Sequence, residues 1–187
     1  MAKVPELAGD FTETTVSSRI AYDGGLLKVR RDEVRLPDGH PAWREYVMHP
    51  GAVMMLAFVD PETILLERQY RYPKHRHFIE LPAGKLEGPE EPLATAKREL
   101  IEECGFEAAR WWHIATLDPS IGYSTEVIHL FGARGFTHVG ASLDVGEHLE
   151  CFEAKLSDAL EWVRDGIISD TKTVLGLLWW DKWGKFS

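Results

Sequence analysis

The chain has 187 residues, 44% of them hydrophobic and 27% charged, enough for one globular domain or one with a small appendage and far from a disordered composition. Thirty acidic against 21 basic residues leave a net charge of −9, which excludes a nucleic-acid surface as the main business of the protein. The longest apolar runs, Ala52 to Val59 and Val174 to Trp180, fall short of the roughly 20 residues a membrane span needs. No basic-then-apolar leader opens the chain, so a cytoplasmic location is expected, with Cys104 and Cys151 as reduced thiols.

In chain order, the early segments alternate like half-buried strands. Leu27, Val29 and Arg31 share a face of a stretch ending near Leu36, Pro37-Asp38-Gly39 makes a turn, and Trp43 to Met48 returns as a partner strand. A soft boundary falls near residue 45, dividing a small N-terminal β subdomain, 1–45, from a main domain, 46–187. Val53 to Val59 reads as a strand buried on both faces. Ile64 to Arg71 and Phe78 to Leu81 follow as strands, the latter stopped by Pro82. From Glu91 to Cys104 the spacing turns helical, with Leu93, Ala96, Leu100 and Cys104 on one stripe and Gly105 as the stop. Strands at Trp111 to Leu117, Glu126 to Ala133 and Leu149 to Ala154 precede two more helices. One is capped by Ser157 and runs to Arg164; the other is capped by Ser169 or Asp170 and reaches Trp183. Strands interleaved with three separated helices imply an α/β sandwich with a mixed sheet.

The segment GKLEGPEEPLATAKRELIEECGF, from Gly84 to Phe106, carries the chemistry. On a helix, Glu99 and Glu103 are one turn apart, about 40° of rotation, with Glu102 flanking them. Three carboxylates on one face repel one another without a counter-charge. Clustered hard oxygens are the ligands Mg²⁺ prefers. An acidic stripe alone is more often a solvated face than a site. Here Gly84, Glu90, Arg98-Glu99, Leu100, Glu102-Glu103, Gly105 and Phe106 stand at every specified position of the Nudix box, and the chain resembles a Nudix hydrolase.

The resemblance implies a Nudix α/β/α sandwich behind a small antiparallel β subdomain, and a Mg²⁺-dependent reaction in which Mn²⁺ can substitute. It casts Glu99 and Glu103 as metal ligands, Glu102 as a third or catalytic one, and the Ala83 carbonyl as another. Glu90 and Arg98 become a structural pair joining loop to helix. Arg44-Glu45, Arg68-Gln69-Tyr70-Arg71 and Glu80-Leu81-Pro82-Ala83-Gly84 resemble the ADP-ribose pyrophosphatase branch. In that branch arginines matching Arg44 and Arg71 touch substrate, and a planar guanidinium suits phosphate or ribose oxygens. Glu80 then contacts a ribose hydroxyl or orients its loop. The run from Asp118 to Glu126, with Pro119 and Ser120, resembles the loop that marks ADP-ribose hydrolases, although Ser120 and Ile121 separate proline from glycine. Ser120 and Glu126 are therefore expected at the substrate.

In the loop Gly140 to His148, Glu147 matches the family's catalytic glutamate and serves as base, metal ligand or both, with Asp144 as the fallback. The tryptophans read mainly as core or dimer packing, and Trp43 and Tyr22 as candidates for stacking a base. The implied reaction splits ADP-ribose into AMP and ribose 5-phosphate in a homodimer that takes a small nucleotide substrate. Another nucleotide sugar, NADH, an oxidised nucleoside triphosphate, or a non-catalytic sensor of ADP-ribose are the alternatives.

Overall fold

The computed structural model describes residues 8–143 and 146–185, and they divide into two units. The smaller takes in the described residues up to His49 together with Ser120–Thr125. The larger holds Pro50–Pro119 and the described residues from Glu126 onward.

In the smaller unit, β1 (Thr14–Asp23), β2 (Lys28–Arg35) and β3 (Pro41–Met48) form an antiparallel sheet in that order. The β2–β3 turn closes where Pro37-Asp38-Gly39 requires it, with Gly39 N–H donating to Leu36 O at 2.9 Å. Buried Asp32 organises the sheet by accepting from the Tyr46 hydroxyl at 3.0 Å and from Ser18. Ser120–Thr125 adds a second layer of backbone bonds. Val47 N–H donates to Tyr123 O at 2.9 Å, and Thr125 N–H to Val47 O at 3.0 Å. β1 goes unannounced in the sequence pattern because its residues are exposed throughout, so neither face carries a burial signal.

The larger unit runs β4 (Ala52–Asp60), β5 (Thr63–Arg71), β6 (Arg76–Glu80), β7 (Ala83–Lys85), α1 (Pro92–Cys104), β8 (Phe106–Leu117), β9 (Ile128–His138), β10 (Leu149–Lys155), α2 (Leu156–Arg164) and α3 (Thr171–Trp183). Its sheet is ordered β10-β5-β4-β9-β8, with β6 added on β5 and β7 on β4. β4 and β9 are parallel and the other pairs antiparallel, so the sheet is mixed. Side chains alternate across a strand. Along β4, Met54, Leu56 and Phe58 therefore join a core containing Ala159 of α2 and Leu177 and Trp180 of α3. Val53, Met55 and Ala57 face the other core, with Ala96, Leu100 and Cys104 of α1. Both faces are covered, which is why this strand reads as an unbroken apolar run. The result is the helix–sheet–helix sandwich expected of the sequence.

α1 starts with Pro92 in its first turn, where a missing N–H is harmless, and ends at Gly105 in the left-handed region (φ 73°). Glu90 consequently lies in the turn before the helix. α2 begins at Leu156 with Lys155 as its cap residue, two positions ahead of the cap expected at Ser157, whose hydroxyl donates to Asp158 instead. Asp170 caps α3, accepting from Thr173 N–H at 3.1 Å. Trp112 and Trp180 pack on Phe58 in the core.

The expectation of two free thiols is corrected: Cys104 and Cys151 form a disulfide. The end of α1 packs beside β10 and brings the two Cα atoms to 5.4 Å, a proximity that 47 residues of intervening chain conceal. Among the described residues no helix is long and apolar enough to cross a membrane.

Candidate active site

The site is built on α1. Glu99 and Glu103 lie on its cleft side, and β7 passes alongside with Ala83 and Gly84. The approach is close: a Cβ on Gly84 would lie 1.9 Å from Glu99 Cδ, so only glycine leaves room for this carboxylate. Glu99, Glu103, Ala83 and Gly84 open into a cleft of about 420 Å³ that also receives Glu126, Glu147, Gln69, Arg71, Lys85 and Lys172. Acidic and basic side chains thus share one cavity. Of the expected site residues, the structure gathers Ala83, Glu99, Glu103, Glu126, Glu147 and Arg71 here.

Glu102 is directed elsewhere. It accepts from Arg98 Nη1 at 2.7 Å, and the same nitrogen lies 3.1 Å from Glu99 Oε1. Arg98 Nη2 reaches Glu90 at 3.4 Å, and Thr95 Oγ1 donates to Glu90 at 2.9 Å. Arg98 therefore links the preceding turn, Glu99 and Glu102 in one ionic network. A second network lies under the cleft. Glu80, 4% exposed, accepts a two-pronged bond from Arg71 (Nε 2.7 Å, Nη2 2.8 Å) and another from Lys172, which also donates to Asp170 at 2.8 Å.

Arg44 and Ser120 belong to the smaller unit. Arg44 donates from Nε to Glu13 at 2.8 Å and lines a pocket of about 370 Å³ with Asp32, Tyr46 and Tyr123. The Ser120 carbonyl accepts from Tyr123 N–H at 3.1 Å and Ser124 N–H at 3.0 Å, closing the turn after Pro119. Trp43 lies under the Arg31 guanidinium at 4.4 Å. Asp144 lies outside the described residues.

A NUDIX domain model matches residues 48–165, and a model of the nucleoside diphosphate sugar hydrolase N-terminal domain matches residues 13–47. The chain belongs to the Nudix family. This Nudix chain is 37% identical over 167 residues to an ADP-ribose pyrophosphatase of Bacillus subtilis, covering 88% of the chain and 90% of the relative. It is 37% identical over 169 residues to a methanol dehydrogenase activator of Bacillus methanolicus, covering 89% and 91%. An ADP-ribose pyrophosphatase of Mycobacterium tuberculosis is 41% identical over 127 residues, covering 67% of the chain and 61% of that protein. The crystal structure of an ADP compounds hydrolase shares the fold, with a TM-score of 0.84 at 20% identity over 94% of this chain and 96% of that one.

The electrostatics of the Nudix cleft follow from burial. Glu99 is pushed up to about 7, chiefly by desolvation, with Glu102 and Glu147 adding repulsion and Arg98 opposing it. Glu103, 6% exposed, is driven further up by burial and by Glu67, a carboxyl on β5 that is itself 4% exposed and raised to about 7, mainly by desolvation. Burial also works to raise Glu80, but the Arg71 and Lys172 contacts outweigh it and hold its carboxyl below the usual range.

Nudix hydrolases use divalent metal ions, and the residues present suit one. Glu103 Oε2 is buried without a hydrogen-bond partner, and the neighbouring donors are hard carboxylate oxygens. Among the described residues no three such side chains already converge at ligand spacing. Glu99 is instead held by Arg98. Sequence reasoning missed Lys172, Lys85, Gln69 and Glu67. Lys172 had one available signal, its place just after the Asp170 cap, in the first turn of a helix whose start was legible.

Proposed function

We propose that the protein hydrolyses the diphosphate of ADP-ribose, giving AMP and ribose 5-phosphate. The observation that carries this reading is the cleft itself, where the box carboxylates Glu99 and Glu103 face the same cavity as Arg71 and Lys172. The ADP-ribose pyrophosphatases among the relatives support the choice of substrate.

Glu99, Glu103 and Glu147, with the Ala83 carbonyl, would hold Mg²⁺, for which Mn²⁺ can substitute; Glu102 stays a candidate once Arg98 releases it. When bound, the ion neutralises phosphate charge and acidifies a water molecule. Arg71 and Lys172 donate to phosphate oxygens, and Glu80 keeps both cations oriented. Glu147 accepts the proton of the attacking water as that water adds to one phosphorus. The bond from that phosphorus to the bridging oxygen breaks, and the bridging oxygen leaves on the other phosphate, so that AMP and ribose 5-phosphate separate. Glu126 contacts the substrate from within the cleft. Arg44 contributes through the pocket of its own unit, and Ser120 through the turn it closes beside that pocket. Glu90 and Arg98 brace the helix rather than react.

The division near residue 45 assigns substrate contacts and homodimer formation to the smaller part. Exposed Val16, Ile20 and Tyr22 on β1 support the second role. The reaction belongs to the cytoplasm, where nucleotide substrates are made.

Hydrolysis of ADP-ribose, ADP-glucose, GDP-mannose, NADH and 8-oxo-dGTP, with and without Mg²⁺, tests the reading. A metal-dependent kcat/KM about tenfold or more above the rest for ADP-ribose is expected, a gap of roughly 1.4 kcal/mol in transition-state binding. GDP-mannose pyrophosphatases of Salmonella, 37% identical over 134 residues, make the nucleotide sugars the informative competitors. Glu103→Gln should lower kcat by about a hundredfold or more through loss of transition-state stabilisation. Binding of ADP-ribose without turnover of any compound would reverse the conclusion.

A further inference from the structure

Cys104 closes α1 immediately after Glu103, and Cys151 is the third residue of β10, four positions after Glu147. Their Cα separation of 5.4 Å lies in the range that native disulfides occupy. The sulfur of Cys104 lies 3.6 Å from Glu67 Oε1, and Cys151 is the register partner of Glu67 across β10 and β5. The bond therefore sits directly behind the buried carboxyls Glu67 and Glu103. Cys104 is 7% exposed in the core under α1, while Cys151 is half-buried and stands nearer to solvent.

We propose that Cys104 and Cys151 are a reversible redox modification site whose closed form clamps the last turn of α1 to β10 and preorganises the metal-binding carboxylates. The oxidant class is a small-molecule disulfide. The Cys151 thiolate, the more accessible of the two, attacks one sulfur of it and expels the first small thiolate. The Cys104 thiolate then attacks Cys151 Sγ in the mixed disulfide and expels the second. The two protein protons end on the two small thiols, and the two electrons given up by the cysteines reduce the oxidant. Among the described residues, a reduced pair leaves α1 and β10 joined by packing, so ordering Glu103 against the strand is left to the cation. In a reducing compartment the pair rests as the dithiol; oxidation closes it and tightens the metal site. The metal-affinity consequence rests on the proposed function, whereas closure of the pair does not.

The full-length chain, reduced with dithiothreitol or oxidised with glutathione disulfide, tests this by intact mass, thiol titration, melting temperature and Mn²⁺ titration. Oxidation should remove about 2 Da and both titratable thiols, and dithiothreitol should restore them. The melting temperature should rise by about 5 °C, and Mn²⁺ affinity by about threefold or more, because a crosslink lowers the entropy lost in ordering the ligands. Cys151→Ser, placed at the half-buried position so that the core stays intact, should bind Mn²⁺ equally under both conditions. A persistent mixed glutathione adduct, two thiols left after oxidation, or the same Mn²⁺ affinity in chains verified as oxidised overturns the proposal. ADP-ribose hydrolysis by the reduced chain reports on the proposed function separately, since mass and melting need no substrate.

Discussion

The Glu99 carboxylate occupies the space that a side chain on Gly84 would need, with Cδ 1.9 Å from the position of a Cβ there. Two residues separated by a turn and most of a helix thus depend on each other. The first glycine of the box sets the position of its first helical glutamate through absence of bulk.

Gly84→Ala should therefore displace Glu99 while leaving the sheet paired. The expected outcome is a loss of about a hundredfold in kcat/KM, the scale that a 1 Å misplacement of a reacting group brings. Circular dichroism should remain that of the parent, and Mn²⁺ affinity should fall alongside activity. Activity within twofold of the parent would mean that Glu99 is not used where it stands.

Metal binding should weaken as the pH falls. Burial raises the metal-free Glu99 carboxyl to about 7, so below that value a proton occupies a site the cation must take. For each proton displaced, the apparent Kd for Mn²⁺ should rise by up to about tenfold per pH unit below 7. Calorimetric titrations at pH 6, 7 and 8 measure this directly, and a constant Kd across them would contradict it.

The Arg71–Glu80–Lys172 network should contribute stability that is likewise lost on acidification, but over a lower pH range. Glu80 titrates below its unfolded value in the folded chain. Its stabilisation is thus complete above about 4.5 and disappears as the pH drops through the folded value. Glu80→Gln should lower the melting temperature at pH 7 by several degrees, leaving Arg71 and Lys172 without their buried counter-charge. The gap between variant and parent should narrow as the pH falls below about 4.5. A gap that stays constant with pH would show packing, not charge, at work.

Lys172→Met keeps the aliphatic stem and removes the cation. In the proposed reaction the loss falls on phosphate binding, so KM for ADP-ribose should rise by about tenfold, near 1.4 kcal/mol, with kcat changed less. Steady-state kinetics at saturating Mg²⁺ separate the two. An unchanged KM would confine Lys172 to holding Glu80.

The exposed apolar residues of β1 lead to a test of assembly. Ile20→Glu places a charge on that strand, and the variant should elute as a monomer by light scattering where the parent is a dimer. A monomeric parent would remove the proposed role of the smaller unit.

The sequence determined the fold class through its patterning and the reaction chemistry through its resemblance to the Nudix box. The unbroken apolar run of β4, the period of α1 and the spacing from Gly84 to Phe106 are local properties, set by backbone geometry within a few residues. They located both core faces and placed Glu99 and Glu103 on one side of a helix before any contact was known. Only the tertiary structure decided which of the neighbouring acids meet the cleft. Glu102 is taken by Arg98 one turn before it on the same helix, a local pairing, whereas Glu67, thirty-six residues before Glu103, packs behind it only in the fold. Lys172 and Glu80 meet across 92 residues and Cys104 and Cys151 across 47. β1 is exposed along its whole length, so no buried face marks it in the sequence. Periodicity reports which way a side chain points from its own element. What stands opposite it depends on strand order and helix packing, which are properties of the whole chain.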